Sequence, residues 1–220
     1  MDALDCIRGR MSIRAFRDEE VPEEKLRELV EIARWSPSYK NSQPWEVMIV
    51  SGEKKKALSG LMIELMEKGA PASPDIPAPQ TWPGAEQDRI DHLYAMRKEA
   101  TGIDLSDPAI VKKARKANFR FYNAPHAVYL FQDASLSPWS IFDMGAFAQN
   151  LMLAAHAMGI GTVPQAFVTD YAREIKEFLG ISGKKRLILG ISLGFPDMDS
   201  PANKLRTDRA PVDDLVTFLK

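Results

Sequence analysis

The chain has one cysteine, Cys6, and three histidines in 220 residues. A single thiol excludes an internal disulfide, a Cys-x-x-Cys redox pair and a cysteine-rich zinc site. His92, His126 and His156 lie far apart, without the paired spacing of metal ligands, so no metal centre is expected. Net charge is also scarce, at -1, so no global field draws the chain toward nucleic acid or an anionic membrane, and any anion site must be local. No Gly-x-Gly-x-x-Gly follows a strand, and residues 180–184 are too short for a phosphate-binding loop, which removes the common nucleotide domains. A Gly-x-Ser-x-Gly elbow is missing as well, so nothing points to hydrolysis by a serine nucleophile. The one membrane-like stretch, residues 141–158, carries Asp143, Gln149, Asn150 and His156, too many polar groups for a lone helix in lipid. The opening Met1-Asp2-Ala3-Leu4-Asp5 lacks the basic, then apolar, pattern of a signal peptide, and with one cysteine this favours the cytoplasm.

What is present is ample apolar material, 45% of the residues, enough for one well-packed domain over residues 1–220. Pro22, Glu23 and Glu24 open a helix with Leu26, Leu29, Val30 and Ala33 at helical spacing. Residues 45–50 read as a buried strand, and residues 54–68 as an amphipathic helix with Leu58, Leu61, Met62, Leu65 and Met66 inward. Five prolines in residues 69–83 forbid regular structure there. Helical periodicity resumes at Ile90, Leu93, Tyr94 and Arg97, and a further helix starts at Ser106-Asp107-Pro108. Residues 69–102 thus read as an excursion over a site, with Trp82 and Tyr94 either walling it or packing it onto the body. The basic run from Lys112 to Arg120 reads as a solvated helix face. Residues 127–131, 159–163 and 187–195 supply three more strands, and residues 211–216 a short helix or strand addition. Strands interleaved with helices predict an α/β or α+β fold. The helix over 141–158 is apolar nearly all round, which predicts a central position, a subunit interface, or both.

The chemistry concentrates in short segments. In extended chain, Arg10, Ser12 and Arg14 share one side while Met11, Ile13 and Ala15 take the other. Two guanidinium forks with a hydroxyl between them suit a phosphate dianion, although surface arginines alone need no ligand to explain them. Pro37, Ser38, Asn41, Gln43 and Pro44 form a stiffened turn whose amides offer donor and acceptor together, suited to a heterocycle edge or simply to a turn. Arg206 and Arg209 add two cations beside a strand exit.

Taken in order, Arg10-x-Ser12-x-Arg14-x-Phe16, Pro37-Ser38, Asn41-Ser42-Gln43-Pro44-Trp45, Asp143-x-Gly145 with Gln149-Asn150-Leu151, Gly159-Ile160-Gly161-Thr162 and Arg209-x-Pro211 resemble the FMN-dependent nitroreductase family. The resemblance spans the chain outside residues 69–118, which form a lid-like excursion. It implies an α+β fold, with a central, mainly antiparallel sheet flanked by helices, and an intertwined homodimer with FMN at the interface. Residue by residue, Arg10, Ser12 and Arg209 resemble the phosphate ligands, with Arg206 a neighbour. Arg14 resembles the basic residue near the pyrimidine edge of the flavin. Pro37, Ser38, Asn41 and Gln43 resemble the partner subunit's contribution to the ring, and Pro164, Gln165 and Ala166 the segment against the flavin face. Tyr39 stands where many relatives have glycine.

The function so implied is NADH- or NADPH-dependent reduction of nitroaromatic or similarly electron-poor compounds, quinones included, by a ping-pong mechanism in one pocket. No side-chain nucleophile or base is required on that account. Reductive dehalogenation on the same scaffold, or flavin binding without turnover, are the alternatives.

Overall fold

A computed structural model describes residues 2–220. Seven α-helices and four strands are present among them: α1 (Ala3–Gly9), α2 (Glu23–Ala33), β1 (Glu46–Ser51), α3 (Gly52–Glu67), α4 (Gly84–Thr101), α5 (Pro108–Phe119), β2 (His126–Asp133), α6 (Trp139–Ala157), β3 (Gly161–Gln165), α7 (Ala172–Leu179) and β4 (Lys185–Gly194). The sheet order is β1-β2-β4-β3 and every pairing is antiparallel. This is the α+β organisation expected.

Alternation along β2 builds the layers. Val128 and Leu130 face a core shared with Leu29, Ala33, Phe147 and Leu151 of α2 and α6. Ala127, Tyr129 and Phe131 face a second core, with Leu58 and Met62 of α3, Phe119 of α5 and Ile175 of α7. Successive strand side chains point to opposite faces, so a strand that reads as continuously apolar has to be covered on both.

Two expectations need correction. The β1 strand is not buried: it lies at the sheet edge, and only Val50 is fully covered. Its outer side and α2 flank a groove of ≈ 670 Å³ lined by Leu26, Val30, Val47 and Ile49. The basic run on α5 is not merely solvated, because Arg115 pairs with the buried Asp170 and Lys116 with Glu67. The α6 helix takes the central position expected, buried along much of its length, with Trp139, Phe142, Gly145 and Gln149 left exposed on the single chain. The proline-rich stretch is also irregular as expected and is pinned by Asp75, which accepts from the Lys176 ammonium at 2.7 Å and the Leu187 N–H at 2.7 Å.

One buried histidine makes stability depend on pH. His126 Nε2 accepts the Val21 N–H at 2.9 Å, which places the proton on Nδ1, facing Ser51 Oγ at 2.5 Å. With its acceptor nitrogen occupied, His126 is no base for Ser51. Burial holds its pKa below the ordinary 6.5. The unfolded chain therefore takes up a proton near pH 6.5 that the folded chain refuses, so this stabilisation is complete above that pH and declines as pH falls toward the folded-state pKa. Urea midpoints should drop between about pH 7.5 and about 5.5, and less steeply in His126→Leu; equal slopes would refute the assignment.

Candidate functional site

The Arg10–Arg14 strip leaves the C-terminus of α1 and is not itself a strand. It is held at intervals, by a parallel bridge from Ser12 to Thr162 on β3 and by an antiparallel one from Phe16 to Pro196. The Ile13 N–H donates to Thr162 O at 2.9 Å. A Cβ on Gly161 would come within 2.9 Å of the Ile13 side chain, so a glycine there permits the close approach. Buried Asn203 completes the clamp: its Oδ1 accepts the Arg14 N–H at 2.7 Å, and its amide donates to Ala15 O and Asp197 O. Of the alternate residues only Ile13 is fully buried, and Met11 joins the arginine side, because isolated bridges do not impose the two-sidedness of a paired strand.

Arg10, Ser12, Arg14, Arg206 and Arg209 meet around one cavity of ≈ 560 Å³. Three of its other lining residues were not read as site residues from the sequence: Arg8 from α1, and Leu93 and Arg97 from α4, which the sequence showed only as helical periodicity. None of the six arginines has a carboxylate within ion-pair distance among the described residues, and Asp208, the acid lining the cavity, is turned to His92 at 3.0 Å. Burial, then Arg209 and Arg206, press the Arg10 pKa down; burial and Arg14 do the same to Arg97. Guanidinium stays protonated at neutral pH, so the cavity wall is a concentration of uncompensated positive charge. Arg206 also donates to Gly9 O at 3.1 Å, and Arg209 to Thr207 Oγ1 at 2.9 Å, which orients both forks.

The amide turn is elsewhere in the chain. It sits on α6, where the Asp143 carboxylate accepts the Tyr39 N–H at 3.1 Å and the Asn150 amide donates to Ser36 Oγ at 2.8 Å. Ser38 Oγ accepts the Gln43 N–H at 3.0 Å. Lys40, Asn41 and Gln43 all have positive φ, an arrangement costing roughly 1–2 kcal/mol per non-glycine residue that these bonds offset. Tyr39 itself is not among the positive-φ residues, so its backbone does not need glycine. Pro37, Asn41 and Gln43 are exposed and Ser38 is half-buried; none of them lines the arginine cavity of its own chain.

Pro164, Gln165 and Ala166 end β3, the strand that holds Ser12 through Thr162. Pro164 and Ala166 are exposed. Gln165 is buried, its Nε2 donating to Asn118 O and Oδ1 at 3.1 Å and its Oε1 accepting from Ser192 Oγ. Its side chain is therefore spent on the fold, and what this segment can offer a ligand is backbone. Trp82 and Tyr94 are exposed and line neither the arginine cavity nor its neighbour. No cluster of three metal-ligating side chains occurs among the described residues.

The donor set fits FMN: unpaired guanidinium forks and a hydroxyl for a phosphate dianion, with Arg14 and Arg97 available to an electron-rich heterocycle edge. Comparison with known proteins agrees. The nitroreductase NfnB of Mycolicibacterium smegmatis is 34% identical over 96% of this chain and 90% of its own length. A 4-nitrobenzoate reductase of Nocardioides sp. is 30% identical over 100% of this chain and 91% of its own. The crystal structure of the FMN-dependent nitroreductase NfnB from Mycobacterium smegmatis in complex with NADPH has a TM-score of 0.94, at 33% identity, covering 99% of this chain and 98% of that one. The family model described as the nitroreductase family matches residues 7–195, running through the excursion that the sequence motifs left out. The chain belongs to the nitroreductase family.

Proposed function

We propose that this protein is an FMN-dependent oxidoreductase that uses NAD(P)H to reduce nitroaromatic and similarly electron-poor compounds. The observation that carries the reading is the cavity of ≈ 560 Å³ walled by six arginines that have no carboxylate partner among the described residues. Arg10, Ser12, Arg206 and Arg209 would hold the phosphate, with bidentate, charge-assisted bonds from the forks. Arg14 would stand at the pyrimidine edge and favour negative charge there. Exposed Pro164 and Ala166 would present backbone to the ring face. When bound, FMN supplies the two-electron chemistry, taking hydride from a reduced nicotinamide and delivering electrons to the acceptor. The protein orients the reactants and sets the local field, so no side-chain nucleophile enters.

The same reading includes a homodimer. Tyr39 and Trp139 stack at the start of α6, ring centroids 6.4 Å apart, Phe142 (74% exposed) follows on the same helix, and Trp35 (79% exposed) precedes Ser36, which Asn150 of α6 holds: exposed aromatics spread along this element. Asn41 and Gln43 share that region, so a second subunit docked there would receive them at its flavin. The tail supports an intertwined arrangement: Phe218 is 80% and Leu219 93% exposed, and the open edge of β1 with its apolar groove can accept an extended segment. We also place the protein in the cytoplasm, a reducing setting for its buried free Cys6. No helix among the described residues is long and apolar enough to cross a membrane.

The test is optical. Purified protein should be yellow, have twice the chain mass by light scattering, and carry one FMN per chain. Anaerobic NADPH or NADH should bleach it, and a nitroaromatic acid such as 4-nitrobenzoate should restore the colour. Protein that binds no added FMN would defeat the reading, and flavin that never bleaches would leave a binding protein.

A further inference from the structure

The α4 helix is unusual for this fold in burying nothing completely. None of its residues is fully covered over its 18 positions. Its half-buried residues include Glu86, Ile90, Leu93, Arg97 and Thr101, spaced at three and four, so they form a single inward stripe. Toward the end of that stripe stands a cation where an apolar residue would normally sit. Arg97 lines the arginine cavity, shares it with Arg14, and has no carboxylate within ion-pair distance among the described residues. The groups acting on its charge are Arg14, Tyr122 and Tyr94, and Arg14 opposes it. The remaining polar tether of α4 to the C-terminal segment is His92 Nε2 to the Asp208 carboxylate at 3.0 Å, one residue from Arg209.

A helix with so little apolar burial against its own chain is held weakly by packing, and sharing one cavity between its half-buried guanidinium and that of Arg14 is unfavourable without an anion there. We propose that Arg97 is a flavin-binding residue and that α4 is a lid which FMN itself draws closed, by bridging Arg97 of the lid to Arg14 of the body. The inference rests on the FMN reading above. It assigns to α4 a cation paired with Arg14, and it makes lid order a consequence of cofactor loading. Leu93, one turn before Arg97, lines the same cavity.

The experiment compares wild type, Arg97→Ala and Arg97→Lys by FMN titration of apoprotein, by midpoint potential of the bound flavin, and by amide hydrogen exchange over residues 84–101 with and without FMN. Arg97→Ala should raise the FMN dissociation constant about tenfold, the loss of one charge-assisted contact. It should also move the potential to more negative values, because a cation favours the reduced, more negative flavin. Arg97→Lys should retain most of the potential. In wild type, FMN should slow exchange across α4; in Arg97→Ala it should not. The thermal midpoint of apo Arg97→Ala should be no lower than wild type, which separates a binding role from a structural one. Unchanged affinity and potential in Arg97→Ala, or exchange over α4 that FMN leaves unaltered in wild type, would overturn the proposal while leaving the FMN reading intact. Failure of wild type to bind FMN would overturn both.

Discussion

Arg10→Ala is expected to weaken FMN binding by about 10- to 100-fold, the worth of one buried charge-assisted fork. The unliganded fold should be as stable as before, or more so. Both signs follow from the same geometry. Arg10 is half-buried at the end of α1, faces Arg206 and Arg209, and has no acid partner among the described residues, so in the apoprotein it contributes repulsion and a desolvation cost. On the proposed reading a phosphate dianion would take the same three forks as its ligands, and deleting one would leave the dianion under-coordinated. Fluorescence titration of apoprotein with FMN reads the first effect and a thermal melt of apoprotein the second. Arg10→Lys should fall between, since a lysine keeps the charge and loses the bidentate fork. An alanine variant that binds FMN as tightly as wild type would remove Arg10 from the phosphate site. One that melts lower without FMN would show that the residue serves the fold instead.

Phe147→Ala is expected to cost about 3–5 kcal/mol of stability, which for a chain of this size lowers the melting temperature by roughly 10 °C. Phe147 is fully buried on α6 and stacks on Trp45, ring centroids 5.0 Å apart and 21° from parallel. Truncation opens a cavity between α6 and the sheet that rigid neighbours cannot fill. The effect reaches the candidate site as well. Trp45 follows the turn that carries Asn41 and Gln43, and Asp143, one helical turn before Phe147, holds the Tyr39 N–H that starts it. Melts at fixed protein concentration should show the loss, with Phe147→Leu losing less. A melting temperature within a degree or two of wild type would mean that α6 does not pack on the sheet through this ring.

The two sides of the arginine cavity were not equally readable. Arg10, Ser12 and Arg14 stand two apart in a short motif, and Arg206 and Arg209 are close together in the tail, so local spacing exposes them. Arg97 had a weaker signal, a cation four residues beyond Leu93 on a stripe whose apolar members are Ile90 and Leu93, which reads equally well as a solvated helix face. Arg8, Thr207 and Asn203 carried none: Asn203 matters because its amide reaches across 189 positions to the Arg14 N–H. Gln165 was legible as part of a segment, but not in its role, because Asn118 and Ser192, which occupy its side chain, are 47 and 27 positions away.

By itself the sequence determined what depends on neighbours in the chain. Local pattern placed five of the seven helices described, α2 to α6, and the buried strand β2, while α1 and α7 went unread; five prolines made residues 69–83 irregular, and the order of short motifs identified the family. Tertiary structure decided what depends on distance through space. It put β1 at an edge and joined the strip to the tail and to α4. It turned unremarkable surface arginines into a single cavity with no counter-charge within ion-pair distance among the described residues. The physical reason is that propensity and hydrophobic pattern act over a few residues, whereas electrostatic character is set by which groups the fold brings together and how much water it leaves between them.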